Sequence, residues 1–555
     1  MLTTLREQLR ESGRAFRAVF GNASLRRVEL SWAGTVCAYW IFIVTLGLYA
    51  YQRGGASAVG VVYLLRVLPS VVAAPFGAVL GDRYPRERVV VAINIARSVT
   101  IVAAAGAAFL GAPAGIVYAL ASLMGLLQSI FRPTQAALLP LLARTPEELT
   151  AANLVLTTIE SVGMFAGPAI GGLLLAVTGT DTMFAGTGAV FLLTALLLAG
   201  VSVERGAPAP AARRSFVRDA FAGFGTVAHD ARLRLIIGLY GTQTLVAGAL
   251  NVLIVVMALE TLDLGKPGIG FLNSAVGVGG LVGGVVAVVL VARTRLASAF
   301  GAGLALAGFG VAAIAIFPTA AAALIFLGLT GLATTIVDVA GLTLLQRTVP
   351  DEVLTRVMGV VQSVFVGTIG LGAVLTPVLI GLLGNRWAIA AVGGPLAAGA
   401  LLAWPRLRRL DAHLASAPEH AGLLHAISIF RPLPPAIVEQ LAHDTRPLHA
   451  APEEDVIRQG DKGDLFYVIV RGEAEVRIDG KPHHTLHAGD HFGEIALLRD
   501  VPRTATVVAL TALDLLTIDR EDFIAAVTGH SESTEAAHAV VATRLGSLRP
   551  GVASV

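Results

Sequence analysis

Between residues 28 and 405 the chain is a succession of apolar runs, each about 20 residues or more, and this pattern leaves few folds open. A run of that length matches the hydrocarbon thickness of a bilayer. Inside lipid every backbone polar group must be satisfied within the protein, so runs of this kind form spanning helices. We read twelve, at 28–50, 57–80, 89–110, 115–141, 150–177, 183–203, 233–259, 268–291, 297–317, 320–345, 354–383 and 388–405. A mean hydropathy of +0.74 with only 14% charged residues lies far outside the soluble range. The expected class is an all-α polytopic membrane domain of twelve transmembrane helices in a 6+6 pseudo-repeat. A soluble α+β domain follows it.

Basic residues orient the membrane part. The connections 51–56, 111–114, 178–182, 260–267, 318–319 and 384–387 hold only Arg53, Lys266 and Arg386. The N-terminal segment 1–27 and the alternate connections hold about eighteen, among them Arg83, Arg86, Arg88, Arg205, Arg213, Arg214, Arg293 and Arg295. Both termini are therefore expected in the cytoplasm of a multi-pass protein of the cell inner membrane. The arginines at 6, 10, 14, 17, 26 and 27 precede no small-residue cleavage site, so the segment reads as retained. Cys37 is the single cysteine, which excludes an intrachain disulfide framework. The pI near 9.2 belongs to this topology. There is no aromatic-interleaved basic patch, and no nucleic-acid partner is expected.

The spans fall into halves of about 28–203 and 233–405, joined by the basic connection 204–232. "RTPEELTAANLVLTTI" at 144–159 recurs as "RTVPDEVLTRVMGVVQSV" at 347–364, and Pro168 in "GPAIGG" matches Pro377 in "TPVLIG". Six-plus-six repeats build one class of transporter around a central pathway. With "GAVLGDRYPRER" (77–88) after the second span, the chain resembles the major facilitator superfamily. The resemblance implies a conformational latch at Gly77, Gly81, Asp82, Arg83 and Arg86, with Pro85 standing where the pattern prefers Gly. "ARTRLA" (292–297) would be its eroded copy. "GMFAGPAIGG" (163–172) resembles a motif of exporters, and "FRPTQAALLPLLARTPEELTAAN" (131–153) resembles the macrolide-efflux and siderophore-export branch.

Charges inside spans are costly and face a cavity or a partner. The transport and coupling candidates are Glu160, ten residues into the fifth span, Asp338, Arg132 and Glu29. Asp338 and Arg132 are related by an offset of 206, close to that of the repeat. Glu29, where the first span opens, reads as an interfacial carboxylate. The bland alternative for all four is structural ion pairing between helices.

After a linker at 406–420 the composition turns soluble. A helix is expected at about 421–443, then strands at 455–459, 465–472, 474–479, 504–510 and 513–519, with closing helices from about 520 and a tail at 546–555. In "HAGDHFGEIALLRDVPRTATV" (487–507), Gly493 permits close backbone approach and the short helix after it turns N–H groups toward an anion. Arg503 offers a fork for a phosphate and Glu494 a carboxylate acceptor for a sugar hydroxyl. Together with "GDKGDLFYVIVRGEAEV" (460–476), the stretch resembles the cyclic nucleotide-binding domains, over about 421–545. The resemblance implies Glu494 on the ribose hydroxyl, Arg503 on the cyclic phosphate, Gly493, Ile495 and Ala496 lining the cup, and Thr504 near phosphate or purine. The ligand implied is cAMP, with cGMP the alternative. His483, His484, His487 and His491 precede the cassette without acidic or cysteine co-ligands, so no metal and no cofactor are expected.

The expected function is secondary transport of a small molecule, driven by protons and directed outward, tuned by a cyclic nucleotide. One alternative is a membrane-tethered receptor that transports nothing. A gated channel is the other, against which stands the absence of a selectivity-filter sequence. The sequence carries no phosphate-binding loop and no nucleophile elbow, so an enzyme is not expected.

Overall fold

The computed structural model describes residues 19–83, 85–201, 224–225, 227–228, 230–291, 295–349, 351–528 and 531–547. Within these, the side chains of 70–83, 288–291, 413–419 and a few single positions are left out. The latch positions Gly77, Gly81, Asp82 and Arg83 lie outside the described side chains, and the basic residues of 1–18, 204–223 and 293 lie outside the described residues. The chain divides into two compact units, Met1–Arg408 and Arg409–Val555.

The first unit is helical: α1 (Ala23–Arg83), α2 (Arg86–Phe109), α3 (Ala114–Ala136), α4 (Leu139–Leu142), α5 (Pro146–Val177), α6 (Thr180–Ala199), α7 (Ala231–Val256), α8 (Gly265–Val291), α9 (Leu296–Ile316) and α10 (Ala320–Thr348). The helical stretch α11 (Asp351–Ala426) begins in it. Among the described residues, ten helical stretches are long and apolar enough to cross a bilayer. Two of them, of 47 and 57 residues, exceed one crossing, and both contain a break. Gly54 and Gly55 interrupt α1, the latter at φ 61°, and Gly384 interrupts α11 at φ 75°. Gly55 and Gly384 are glycines because an L side chain is strained at positive φ.

Side chains set the helix starts. Thr145 accepts from the Glu148 N–H, Asp230 from those of Arg232 and Leu233, and Thr319 from that of Ala322. Small residues set how close the helices come. Gly163, Gly167 and Gly171, spaced by four, put one face of α5 against Val36, Trp40 and Ile41 of α1. Gly172 of α5 meets Gly270 of α8 backbone to backbone. The exporter-like motif is thus also a packing stripe. Outward, Val99, Leu173, Leu196, Val285, Ile325 and Leu402 are exposed, as a lipid-facing surface requires.

The second unit is an antiparallel β-roll with helices. Its strands are β1 (Arg446–Ala450), β2 (Asp455–Ile457), β3 (Leu465–Arg471), β4 (Ala474–Ile478), β5 (Lys481–Leu486), β6 (His491–Phe492), β7 (Thr506–Ala509) and β8 (Leu513–Asp519). They form two sheets, ordered β1-β8-β3-β6 and β2-β7-β4-β5. Helices α12 (Pro435–Asp444), α13 (Glu494–Arg499), α14 (Arg520–Thr528) and α15 (Ser531–Ser547) complete it. "LFYVIV" reads as one apolar run because β3 is covered on both faces. Phe466 and Val468 pack on the helices, while Tyr467 and Ile469 point between the sheets. Asp479 and Gly480, both at positive φ, make the tight turn between β4 and β5.

The structure corrects several expectations. The helix read at 421–443 is two, because Pro432, Pro434 and Pro435 cannot continue a helix that ends at Ala426. β1, β5 and β6 were not expected as strands. Glu29, expected at an interface, is fully buried within the protein, and neither carboxylate oxygen has a hydrogen-bond partner.

Candidate functional site

Within the β-roll lies a pocket with about 570 Å³ of empty space, its open mouth included. Its lining includes Gly493, Glu494, Ile495, Ala496, Arg503 and Thr504, the six positions singled out in the sequence. The fold brings them together through one short segment. Gly493, at φ 97°, reverses the chain between β6 and α13 and so begins the helix over the pocket. The first N–H groups of any helix lack intrahelical acceptors, which leaves those of the first turn of α13 for a ligand.

Arg503 is anchored from several directions. Its Nη1 donates to the Gly493 carbonyl at 3.0 Å and its Nη2 to that of Leu465 at 2.7 Å. Its backbone N–H donates to Asp461 O at 2.8 Å and its carbonyl accepts from Gly460 at 2.9 Å. The guanidinium lies 5.6 Å from the Tyr467 ring centroid, and Tyr467 is stacked on Phe492 at 4.8 Å. A Cβ on Gly463 would stand 2.9 Å from Arg503 Nε, so the turn 460–463 needs its glycine to admit this side chain. Arg503 is 5% exposed and Glu494 1%. Burial pulls the Arg503 guanidinium down from its ordinary value, opposed by Tyr467, Asp464 and Glu494. Burial likewise pushes the Tyr467 phenol up, against the charge of Arg503. A buried cation and a buried carboxylate in the lining of one small cavity suit a ligand with an anionic and a hydroxyl-bearing end.

The rest of the lining was not expected in a pocket from the sequence. It includes Ile457, Val476 and His484, from β2, β4 and β5. Val476 and His484 are register partners across the β4–β5 hairpin, so only recognition of β5 as a strand would have found them together. His483 stands beside His484, edge to face at 5.3 Å.

Gly493→Ala is expected to weaken ligand binding about tenfold, since a left-handed non-glycine residue costs roughly 1–2 kcal/mol. The new Cβ would also stand 2.6 Å from Arg503 Nη1. Titration calorimetry reads this directly; an unchanged affinity would mean that the backbone at 493 does not shape the pocket.

The first unit holds a second cavity, of about 960 Å³, lined by residues of α1, α5, α7, α8, α9, α10 and α11. Asp338 lines it and accepts a 2.6 Å hydrogen bond from the Tyr240 hydroxyl. Glu160 instead pairs with Arg132 at 3.1 Å, between α5 and α3, with side-chain exposures of 28% and 68%. Asp338 and Arg132, matched by the repeat offset, have these separate partners. Arg86, the latch candidate whose side chain is described, donates to Ala137 O at 3.0 Å.

Comparison with known proteins bears on both units. The family profile of the cyclic nucleotide-binding domain matches residues 447–530. Curated relatives of this part include the cAMP-dependent protein kinase regulatory subunit of Dictyostelium discoideum, 39% identical over 108 residues, and that of Schizosaccharomyces pombe, 54% identical over 69. The matches cover 18% and 12% of this chain, and 33% and 17% of those proteins, so the chain spans a third or less of either relative. The solved regulatory domain of Toxoplasma gondii PKA with cAMP matches at 22% identity and TM-score 0.22, over 24% of this chain and 52% of that one. The profile of the Major Facilitator Superfamily matches residues 31–257 and 236–443, well over half of the chain. Many long apolar helices, a central cavity and this match agree: the chain is a multi-pass membrane protein of the Major Facilitator Superfamily, carrying a C-terminal cyclic nucleotide-binding domain.

Proposed function

We propose that this protein is a proton-coupled exporter of a small molecule whose transport is tuned by cAMP bound to its C-terminal domain. The observation that carries the regulatory part is the pocket in which Arg503 and Glu494, both buried, line one cavity beside the glycine-led α13. The names of the relatives, cAMP-dependent protein kinase regulatory subunits, support cAMP as the ligand. Arg503 takes the cyclic phosphate, Glu494 the ribose hydroxyl, and Thr504 the phosphate or base edge.

The protein crosses the inner membrane twelve times, α1 and α11 contributing two crossings each at their glycine breaks, with both termini cytoplasmic. The transporter runs from about 28 to 405, the linker from 406 to 420, and the sensor from 421 to 545. The residues 77–86 latch one conformation. Of the acids, Asp338 is the coupling group we favour, because it lines the cavity. The Glu160–Arg132 pair and buried Glu29 serve the conformational change. Outward direction rests on the resemblance of 163–172 to exporters. Regulation requires the nucleotide to bind one transport conformation better than the other, and about 1–3 kcal/mol of difference suffices for a typical coupling.

The test is calorimetric titration of the purified full chain with cAMP and with cGMP. Micromolar or tighter binding of cAMP, with cGMP weaker, is the expected result. The same preparation reconstituted in vesicles should then move solute at a rate that changes with cAMP. Binding to neither nucleotide would remove the regulatory reading.

A further inference from the structure

The pocket of the β-roll has two unlike ends. Its charges are deep: Glu494 and Arg503 are both buried, and both belong to the segment 493–505. Outside that segment the lining is Ile457, Val476, His484, Leu486, Phe492 and Val507. Among these described residues His484 is the single one whose side chain can donate or accept a hydrogen bond. It is also exposed, on the edge strand β5, and therefore stands at the mouth of the pocket.

A nucleotide whose phosphate and sugar are held at the buried end lays its base along the apolar remainder. The faces of a purine suit such a wall. Its edge does not, because polar edge groups that leave water without a new partner are costly. The edge needs a polar group near the mouth, and His484 is the residue in place.

A neighbour constrains the imidazole. His484 Nδ1 lies 3.1 Å from His483 Nδ1, and the two rings meet edge to face. Two neutral imidazoles this close share one N–H between those atoms. When His484 gives it, the Nε2 of His484 is bare and accepts; when His483 gives it, that Nε2 carries the proton and donates. Adenine presents a 6-amino donor where guanine presents a 6-oxo acceptor. The first state matches adenine and opposes guanine.

We infer that His484 reads position 6 of the base: its Nδ1–H is given to His483, and its Nε2 accepts from the 6-amino group. His484 is thus the residue that sets the preference for cAMP over cGMP, and His483 is the positioning residue that fixes its tautomer. This deepens the sensor reading and rests on it.

The experiment is calorimetric titration of the full chain with three cyclic monophosphates that share ribose and phosphate: cAMP, cGMP and the analogue of purine riboside, which carries only hydrogen at position 6. In the wild type the analogue should bind about tenfold more weakly than cAMP, the scale of one lost hydrogen bond. His484→Leu should lower cAMP affinity to that of the analogue and leave the analogue within twofold, so that the advantage of the 6-amino group disappears. A merely structural role for His484 would weaken both ligands alike. His483→Leu, which keeps the reading ring but frees its tautomer, should shrink the ratio of cAMP to cGMP affinity. Equal binding of cAMP and the analogue in the wild type, or an equal loss of both in His484→Leu, would overturn the inference. A chain that binds no cyclic nucleotide fails the sensor reading itself. One that binds cAMP through Arg503 but ignores the substitution at His484 fails only this inference.

Discussion

Arg503→Ala is expected to lower cyclic nucleotide affinity by about a hundredfold or more, the largest effect of any single substitution in the sensor. Removing one member of a desolvated, charge-assisted pair typically costs about 2–5 kcal/mol, and each 1.4 kcal/mol is about tenfold. Two losses add here. The phosphate loses its only buried guanidinium among the described pocket residues. The Gly493 and Leu465 carbonyls lose the donor that ties the two sides of the cup together. Arg503→Lys separates these contributions, since an ammonium keeps the charge but cannot span both carbonyls and a phosphate as a planar fork does. Its affinity should fall between wild type and Arg503→Ala. Calorimetric titration of the full chain with cAMP measures both. An Arg503→Ala protein that binds within a few-fold of wild type would show that the pocket holds its ligand by other means.

How legible the two sites were in the sequence follows from how local their chemistry is. The cup could be read because Gly493, Glu494, Arg503 and Thr504 sit within one short segment, and spacing along a chain is then nearly spacing in space. Its far wall could not. β5, "KPHHTL", is an edge strand with five of its six residues exposed, so it lacks the apolar alternation that marks a half-buried strand. The break after Ala426 is marked in the sequence by Pro432, Pro434 and Pro435. In the membrane unit the spans were plain from hydropathy, but the cavity was not. Its polar lining comes from single residues on separate helices, Gln243 and Asn251 on α7, Asn273 on α8 and Asp338 on α10. An offset relates equivalent positions in two halves, whereas contacts form between neighbouring helices, so Arg132 found Glu160 and Asp338 found Tyr240. Glu29 opens the apolar run, while the helix itself begins a turn and a half earlier, at Ala23, and hydropathy alone gives no sign of its burial within the protein.

Phe466→Ala should cost the sensor about 3–5 kcal/mol, the usual range for removing a buried phenyl ring, against a total of about 5–15 kcal/mol for a domain. Phe466 is fully buried in β3, stacked on Phe523 of α14 at 4.6 Å and edge-on to Phe430 at 5.5 Å. These three rings join the sheet to the segment that follows α11 and to the closing helices, so the cavity cannot be refilled by one neighbour moving. Denaturant unfolding followed through the sensor's own transition in the full chain measures the loss, and Phe466→Leu, which keeps most of the volume, should lose less than half as much. A drop under about 1 kcal/mol for Phe466→Ala would mean that the rings are not the joint. The position also bears on signalling. Leu465, the preceding residue, gives its carbonyl to Arg503. A phosphate that draws the guanidinium toward itself disturbs that carbonyl, and the next side chain along the strand is the one packed on the helices. Saturating cAMP should therefore raise the unfolding midpoint of the wild-type sensor by mass action, and raise it less in Phe466→Ala, where the strand that carries the ligand's anchor is no longer held to the helices.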